Sequence, residues 1–343
     1  MSELSLKTQC AYPTLAGHAE FKKNSADFKV DEMLSIEFTG EGEHLWLHIE
    51  KSNTNTDWLA GKLAHHFDVQ RRSVSYSGLK DRHATTRQWF SIQMPGRKDA
   101  INQIQDFSLE DINILEHHWH QKKLHMGTHS ANIFTIWLRN NTIDKHALIK
   151  RLDIIKKYGV PNYFGPQRFG FDGQNIKDAA AILANRKKSQ RKQAELTVSA
   201  LRSYMFNQIL SERVKNKTWT TILPGEALQM DGQKGYFLFE NAKEEPDVLR
   251  EKCIRGACHP TGGLWGDQND IVNKEVAKIE DMCFELHPEY VKLLANRRLD
   301  PARRSLRMIP HNLVYEFNEN NDCCLSFALS PGCFATSVLK EII

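Results

Sequence analysis

The feature that most restricts what this chain can fold into is a change of texture at VPNYFGPQRFGFDGQN, residues 160–175. Before this Gly-, Pro- and aromatic-rich break, apolar and polar residues mostly alternate as in half-buried strands. After it the pattern turns mixed and helical, and strand patterns return only from residue 312. Strand-rich, then helical, then strand-rich again reads as one domain interrupted by another. Residues 1–158 and 309–343 are expected to form one α+β domain, with 159–308 inserted into it. No internal repeat or low-complexity segment complicates this division.

Within the first part, 28–33, 44–50, 88–94, 112–119 and 132–138 read as strands. Residues 57–67 read as a helix capped by Thr56 or Asp57, and 143–158 as a second helix stopped by Gly159 and Pro161. In the middle, helices fit 176–184 and 195–215. Residues 223–240 suggest a hairpin with Gly turns, TGGLWGDQ (261–268) a loop, and 274–300 more helix. Strands at 312–317 and 324–329 and a short helix at 335–341 close the chain.

The chain has 343 residues, 41% hydrophobic and 26% charged, within the range of soluble globular proteins. No apolar run approaches the ~18 residues of a membrane helix. The N-terminus lacks the basic and apolar segments of a signal peptide, so a cytoplasmic protein is expected. Seven cysteines at irregular spacing form no CxxC pair and read as free thiols. The net charge of +4 and pI of about 8.6 do not by themselves demand nucleic acid. The basic residues are clustered, however: Arg186, Lys187, Lys188, Arg191 and Lys192, then Arg297, Arg298, Arg303, Arg304 and Arg307. Each cluster alone is adequately explained as a solvated face; together they suit a polyanionic partner.

The stretch GLKDRHATTRQWF (78–90) sets one carboxylate, Asp81, between Lys80 and Arg82 beside a glycine. Neighbouring cations hold a carboxylate ionised, which suits a nucleophile, a base or a plain ion pair. An enzyme acting on an RNA base must unstack it and hold it against an apolar or aromatic wall. Phe28, Phe134 and Phe334 each lie beside polar residues, although core packing is the commoner use of any one phenylalanine.

These segments together resemble the TruD family, the tRNA pseudouridine synthases acting on position 13 of tRNA. GLKDRHATTRQWF resembles its signature stretch, ADFKVDE (26–32) its N-terminal motif and HSANIFTIWLR (129–139) its asparagine–phenylalanine strand. VPNYFGPQRFG (160–170) is similar to the segment opening its inserted domain, and SFALSPGCFATSVLKE (326–341) to its C-terminal motif. The resemblance runs from about residue 26 to the end, in the family's order. It implies the pseudouridine-synthase catalytic core, a mixed, mostly antiparallel sheet with flanking helices, carrying an inserted α/β TRUD domain. It further implies cofactor-free isomerisation of uridine to pseudouridine in the D-arm region of tRNA.

By the same resemblance the catalytic aspartate falls on Asp81, and substrate-pocket positions fall on Phe28, Asn132 and Phe334. Phe134 matches the aromatic that stacks on the target base. One departure is visible: the family often has glycine before the pocket asparagine, and this chain has Ala131. Lys80 is expected to touch a phosphate or support Asp81. Arg186, Lys187, Lys188, Arg297, Arg298, Arg303 and Arg304 are expected to grip the tRNA backbone, where contacts are strong, salt-dependent and blind to sequence. An ionised Asp81 could attack C1′, take the C2′ proton or add to C6. The histidines of HHWH (117–120) complete no ligand set, so no metal is expected. A monomer without an obligate protein partner is expected. A non-catalytic tRNA-folding chaperone on the same fold is the alternative, and it would not need Asp81.

Overall fold

The computed structural model describes residues 6–97, 100–184, 191–267, 270–295 and 297–343, the side chains of Arg191 and Lys192 excepted. Its strands are β1 (Phe28–Met33), β2 (His44–Ser52), β3 (Val74–Tyr76), β4 (Thr85–Gln93), β5 (Ile112–His120), β6 (Ala131–Leu138), β7 (Val160–Pro161), β8 (Ala227–Met230), β9 (Tyr236–Leu238), β10 (Cys258–Leu264), β11 (Ala302–Ser305), β12 (Arg307–Met308), β13 (His311–Phe317) and β14 (Cys323–Leu329). The helices used below are α1 (Thr56–His66), α2 (Lys145–Tyr158), α3 (Arg191–Lys215), α4 (Pro246–Arg255), α5 (Lys274–Glu285) and α6 (Ala335–Lys340). No described helix is long and apolar enough to cross a membrane.

The chain divides into two compact units. One holds residues 16–145 and 311–332; the other holds the residues up to Leu15 with 146–310 and 333–343. These limits differ from those expected of the sequence, because α2 and the last residues group with the helical unit. The physical reason is a buried arginine. Arg151 on α2 donates to the carbonyls of Pro13 and Glu341, while the Glu341 carboxylate accepts from the Ala11 and Tyr12 amides at 3.0 Å. Three distant stretches of chain are thus tied by groups that burial obliges to pair.

The first unit is an eight-stranded sheet in the order β13-β14-β6-β1-β4-β2-β5, with β3 also on β4. Only β1 and β4 run parallel; the other pairs are antiparallel. This is the mixed, mostly antiparallel α+β arrangement expected. Side chains directly opposite each other share a face, so the register decides what lies together. On one face Leu47 pairs with Phe90 and Leu45 with Ile92, and with Leu59, Leu63 and Phe67 these form a closed core under α1. Asn55, rather than Thr56 or Asp57, caps α1: its Oδ1 accepts from the Asp57 and Trp58 amides at 2.8 and 3.1 Å. Asn is among the best caps because its short amide reaches these orphan N–H groups.

The second unit has a four-stranded sheet, β11-β10-β8-β9, beside a two-stranded β7–β12 pair. Here the sequence misleads. TGGL, read as a loop, belongs to the buried strand β10. Its glycines serve packing rather than a turn. A Cβ on Gly262 would stand 3.0 Å from the Phe206 ring, and one on Gly263 would stand 2.6 Å from Glu280 Oε2. Residues 302–305, just past the expected helical run, form strand β11 on β10, and 246–255 form a helix that the sequence reading left unassigned.

Candidate active site

The sheet face that is apolar under α1 becomes polar at its other end, and there the motif residues gather. Phe28, Val30 and Glu32 alternate inward on β1, opposite Ile136, Phe134 and Asn132 of β6. Phe28 and Phe134 meet edge to face with centroids 6.0 Å apart, and Phe134 also stacks on Phe327 of β14 at 5.7 Å. Phe134 is 8% exposed, so its ring is mostly committed to this aromatic row. The Asn132 Oδ1 is buried and has no hydrogen-bond partner among the described residues. Such an acceptor costs roughly 1–3 kcal/mol unless a donor arrives.

Asp81 lies in the loop between β3 and β4, its carboxylate 44% exposed. Its ionic partner is Lys22, which donates to Oδ2, and not either neighbour in sequence. The Lys22 ammonium also sits 4.2 Å from the Phe28 ring centroid, a cation–π contact linking Asp81 to the aromatic row. Lys22 was invisible to sequence reasoning because it lies 59 residues from Asp81 and outside every quoted motif.

Lys80 turns the other way. Its side chain is 6% exposed and its ammonium donates to Glu32 Oε1 at 2.6 Å. A buried, paired ammonium is unsuited to the phosphate contact expected of it. Glu32 Oε2 accepts from the Trp89 amide at 2.9 Å. Burial, with the Lys80 charge nearby, lowers the pKa of His129 despite Glu32. Its Nδ1 bonds to Ser77 Oγ, and that hydroxyl accepts from the His129 amide at 3.2 Å. Gln88 Nε2 donates to the Gly78 carbonyl, and the Lys80 amide donates to Thr56 Oγ1 at 3.2 Å.

One motif residue has a different use. Asp27 is buried and accepts from Arg139 Nε and Nη2 at 2.8 and 2.7 Å, tying the ADFKVDE stretch to the end of β6. Phe334 belongs to the second unit, where it stands at the N-cap of α6 with its ring 6.1 Å from Phe164.

The basic clusters separate on inspection. Arg186, Lys187 and Lys188 lie outside the described residues. Arg297 and Arg298 are exposed, although Arg297 also donates to the Leu183 carbonyl at 2.7 Å. Arg303 is a correction: its fully buried guanidinium pairs with Glu280 at 2.5 Å and Asp270 at 2.6 Å. Arg304 donates to the Asn162 carbonyl at 3.1 Å and its Oδ1 at 2.5 Å, and lies 4.1 Å from the Phe164 centroid. Burial brings its pKa down to about 10. Period-2 alternation places Arg303 inward, and an inward arginine must be paired. Among the histidines, His118 and His120 do share a face of β5, where both rings meet Phe38.

The family model for tRNA pseudouridine synthase D (TruD) matches residues 13–190 and 176–342. A protein named tRNA pseudouridine synthase D from Psychrobacter arcticus is 38% identical over 367 residues, covering 95% of this chain and 90% of that protein. One of the same name from Pseudomonas entomophila is 39% identical over 345 residues, covering 100% and 96%. The fold is similar to a solved structure assigned to tRNA pseudouridine synthase D from Methanosarcina mazei, with a TM-score of 0.73, 19% identity and coverage of 97% and 95%. At that identity the likeness speaks to the fold alone, but the family match and the two relatives span nearly the whole chain. The chain therefore belongs to the tRNA pseudouridine synthase D (TruD) family.

Proposed function

We propose that this protein is a tRNA pseudouridine synthase that isomerises uridine 13, with residues 159–308 as the inserted TRUD domain. The carrying observation is the placement of Asp81: a half-exposed carboxylate paired with one lysine that also touches Phe28. Family membership supports the reaction class. The reaction breaks the bond from ribose C1′ to uracil N1, turns the base, and forms a bond from C1′ to C5. The C5 proton leaves and N1 gains one, so substrate and product are isomers and no oxidant is required.

In this reading the target uridine is flipped from its stack onto the Phe28–Phe134 row, at a cost of a few kcal/mol repaid by stacking and by filling the site. The Asn132 Oδ1 receives a donor from the nucleotide, which relieves a buried acceptor. Asp81 acts as an anion on the sugar or base, by C1′ attack, C2′ deprotonation or C6 addition. Each route needs the carboxylate in contact with the nucleotide. The exposed Arg297 and Arg298 fit phosphate contact, which would make binding weaken as salt rises.

The test is to incubate the protein and its Asp81→Asn variant with unmodified tRNA and to map pseudouridine. Modification at position 13 by the wild type alone, with tRNA affinity kept in the variant, is expected. Equal modification by both removes Asp81 from the mechanism, and tight binding without modification by either favours the chaperone reading. Phe334→Ala in the same assay tests the role that its motif assigns.

A further inference from the structure

We propose that Lys80 and Glu32 are positioning residues: their buried ion pair holds the loop 77–81 so that the Asp81 carboxylate is presented at one height and angle. The inference rests on the reading of Asp81 as the reacting group. The ion pair joins two of the quoted motifs, since Glu32 ends ADFKVDE and Lys80 precedes Asp81 in GLKDRHATTRQWF.

The argument begins with Asp81 itself. Its only ion pair among the described residues is with Lys22, and the partners are 44% and 23% exposed. A pair so open to water contributes little and leaves a carboxylate free to swing. Its direction must therefore come from the backbone beneath it. That loop is held at Ser77, Gly78 and Lys80. Ser77 is fixed to His129 by side chain and amide, and its carbonyl accepts from the Gly127 amide at 2.7 Å. The Gly78 carbonyl takes Gln88 Nε2. The Lys80 amide takes Thr56 Oγ1, which in turn donates to Gln88 Oε1 at 3.1 Å.

The last attachment before Asp81 is a buried ion pair. Lys80 and Glu32 are 6% and 0% exposed and 2.6 Å apart. Glu32 is itself rigid, being on a paired strand with its second oxygen on the Trp89 amide. Burying both charges is costly, and an apolar pair would fill the space as well. What an ion pair adds is direction, since it forms only when the loop is in place. Consecutive side chains then point oppositely, Lys80 inward and Asp81 outward. A misplacement of about 1 Å at a reacting group can lower a rate by about 10²-fold.

The experiment measures single-turnover rate, tRNA Kd and Tm on the full chain with unmodified tRNA. The principal variant is Glu32→Gln with Lys80→Met. It leaves no unpaired charge and keeps an acceptor for the Trp89 amide. A rate loss of about 10- to 100-fold, with Kd unchanged within about twofold, supports the inference. A lowered Tm with the wild-type rate per folded molecule overturns it, because a purely structural pair would do only that. Asp81→Asn is run alongside. If it is inactive while the double variant is fully active, the Asp81 reading stands and the positioning role fails. If Asp81→Asn retains full activity, both fail. Should the double variant not fold, Lys80→Arg decides, since it keeps the charge and changes the length. A slowed rate at unchanged Kd supports the positioning role, and a wild-type rate overturns it.

Discussion

Lys51 offers a sharp test of the electrostatics beneath the site. It lies on β2 opposite Thr86, has no exposed surface, and donates to the Thr54 carbonyl at 2.7 Å. Burial, with help from the Lys80 charge and against the pull of Asp81, brings its pKa from 10.5 down to about 8. At about 1.4 kcal/mol per pH unit, that drop corresponds to about 3 kcal/mol against the charged form. The sign follows from linkage. Between pH 8 and 10.5 the unfolded chain binds more protons than the folded one, so stability rises with pH across that window. The gain is complete above 10.5 and is lost as pH falls through 8. Lys51→Met should therefore stabilise the protein by about 2 kcal/mol at pH 7, after a loss of about 1 kcal/mol at the Thr54 carbonyl. Above pH 10.5 that advantage should vanish. NMR titration of 13C-labelled lysine, assigned with Lys51→Met, reads the midpoint directly. It should move down in Asp81→Asn, where an attracting anion is gone, and up in Lys80→Met, where a repelling cation is gone. A wild-type midpoint at the ordinary lysine value, or shifts of the opposite sign in the two variants, would refute the reasoning.

Lys22→Met should slow single-turnover pseudouridine formation by no more than about fivefold, the upper end of what a water-exposed ion pair supplies, without changing the Tm by more than a few degrees. Arg303→Met strands Glu280 in the interior and should cost about 3–5 kcal/mol in urea unfolding. Arg298→Ala, on the surface, should leave stability unchanged and reduce the salt slope of tRNA binding by about one. Gly263→Ala places a methyl group against the Glu280 carboxylate and should destabilise by about 1–3 kcal/mol, read from the same urea curves.

Much of this was legible in the chain. Alternation in FKVDEM identified β1 and put Phe28 and Glu32 on one face, and the same period set Asn132 with Phe134 on β6. Those patterns are local, because successive side chains on a strand point to opposite faces. TGGL failed as a reading because its glycines answer to the Phe206 ring and Glu280, which approach from other elements. Within the arginine cluster at 297–307, Arg303 departed from the reading for a similar reason. Charge along a chain does not say which side chains turn inward, and Arg303 turned inward to Glu280 and Asp270.

The resemblance of the chain's motifs, in their order, implied the family and the candidate carboxylate, and the period of its strands set their faces. The tertiary structure alone decided the partners. Asp81 sits beside two cations in sequence, yet its ammonium comes from Lys22, and Lys80 is taken by Glu32. The reason is geometric. Sequence neighbours in a loop diverge, while strand pairing brings residues of distant stretches within bonding range, and a buried charge accepts the partner that the fold delivers.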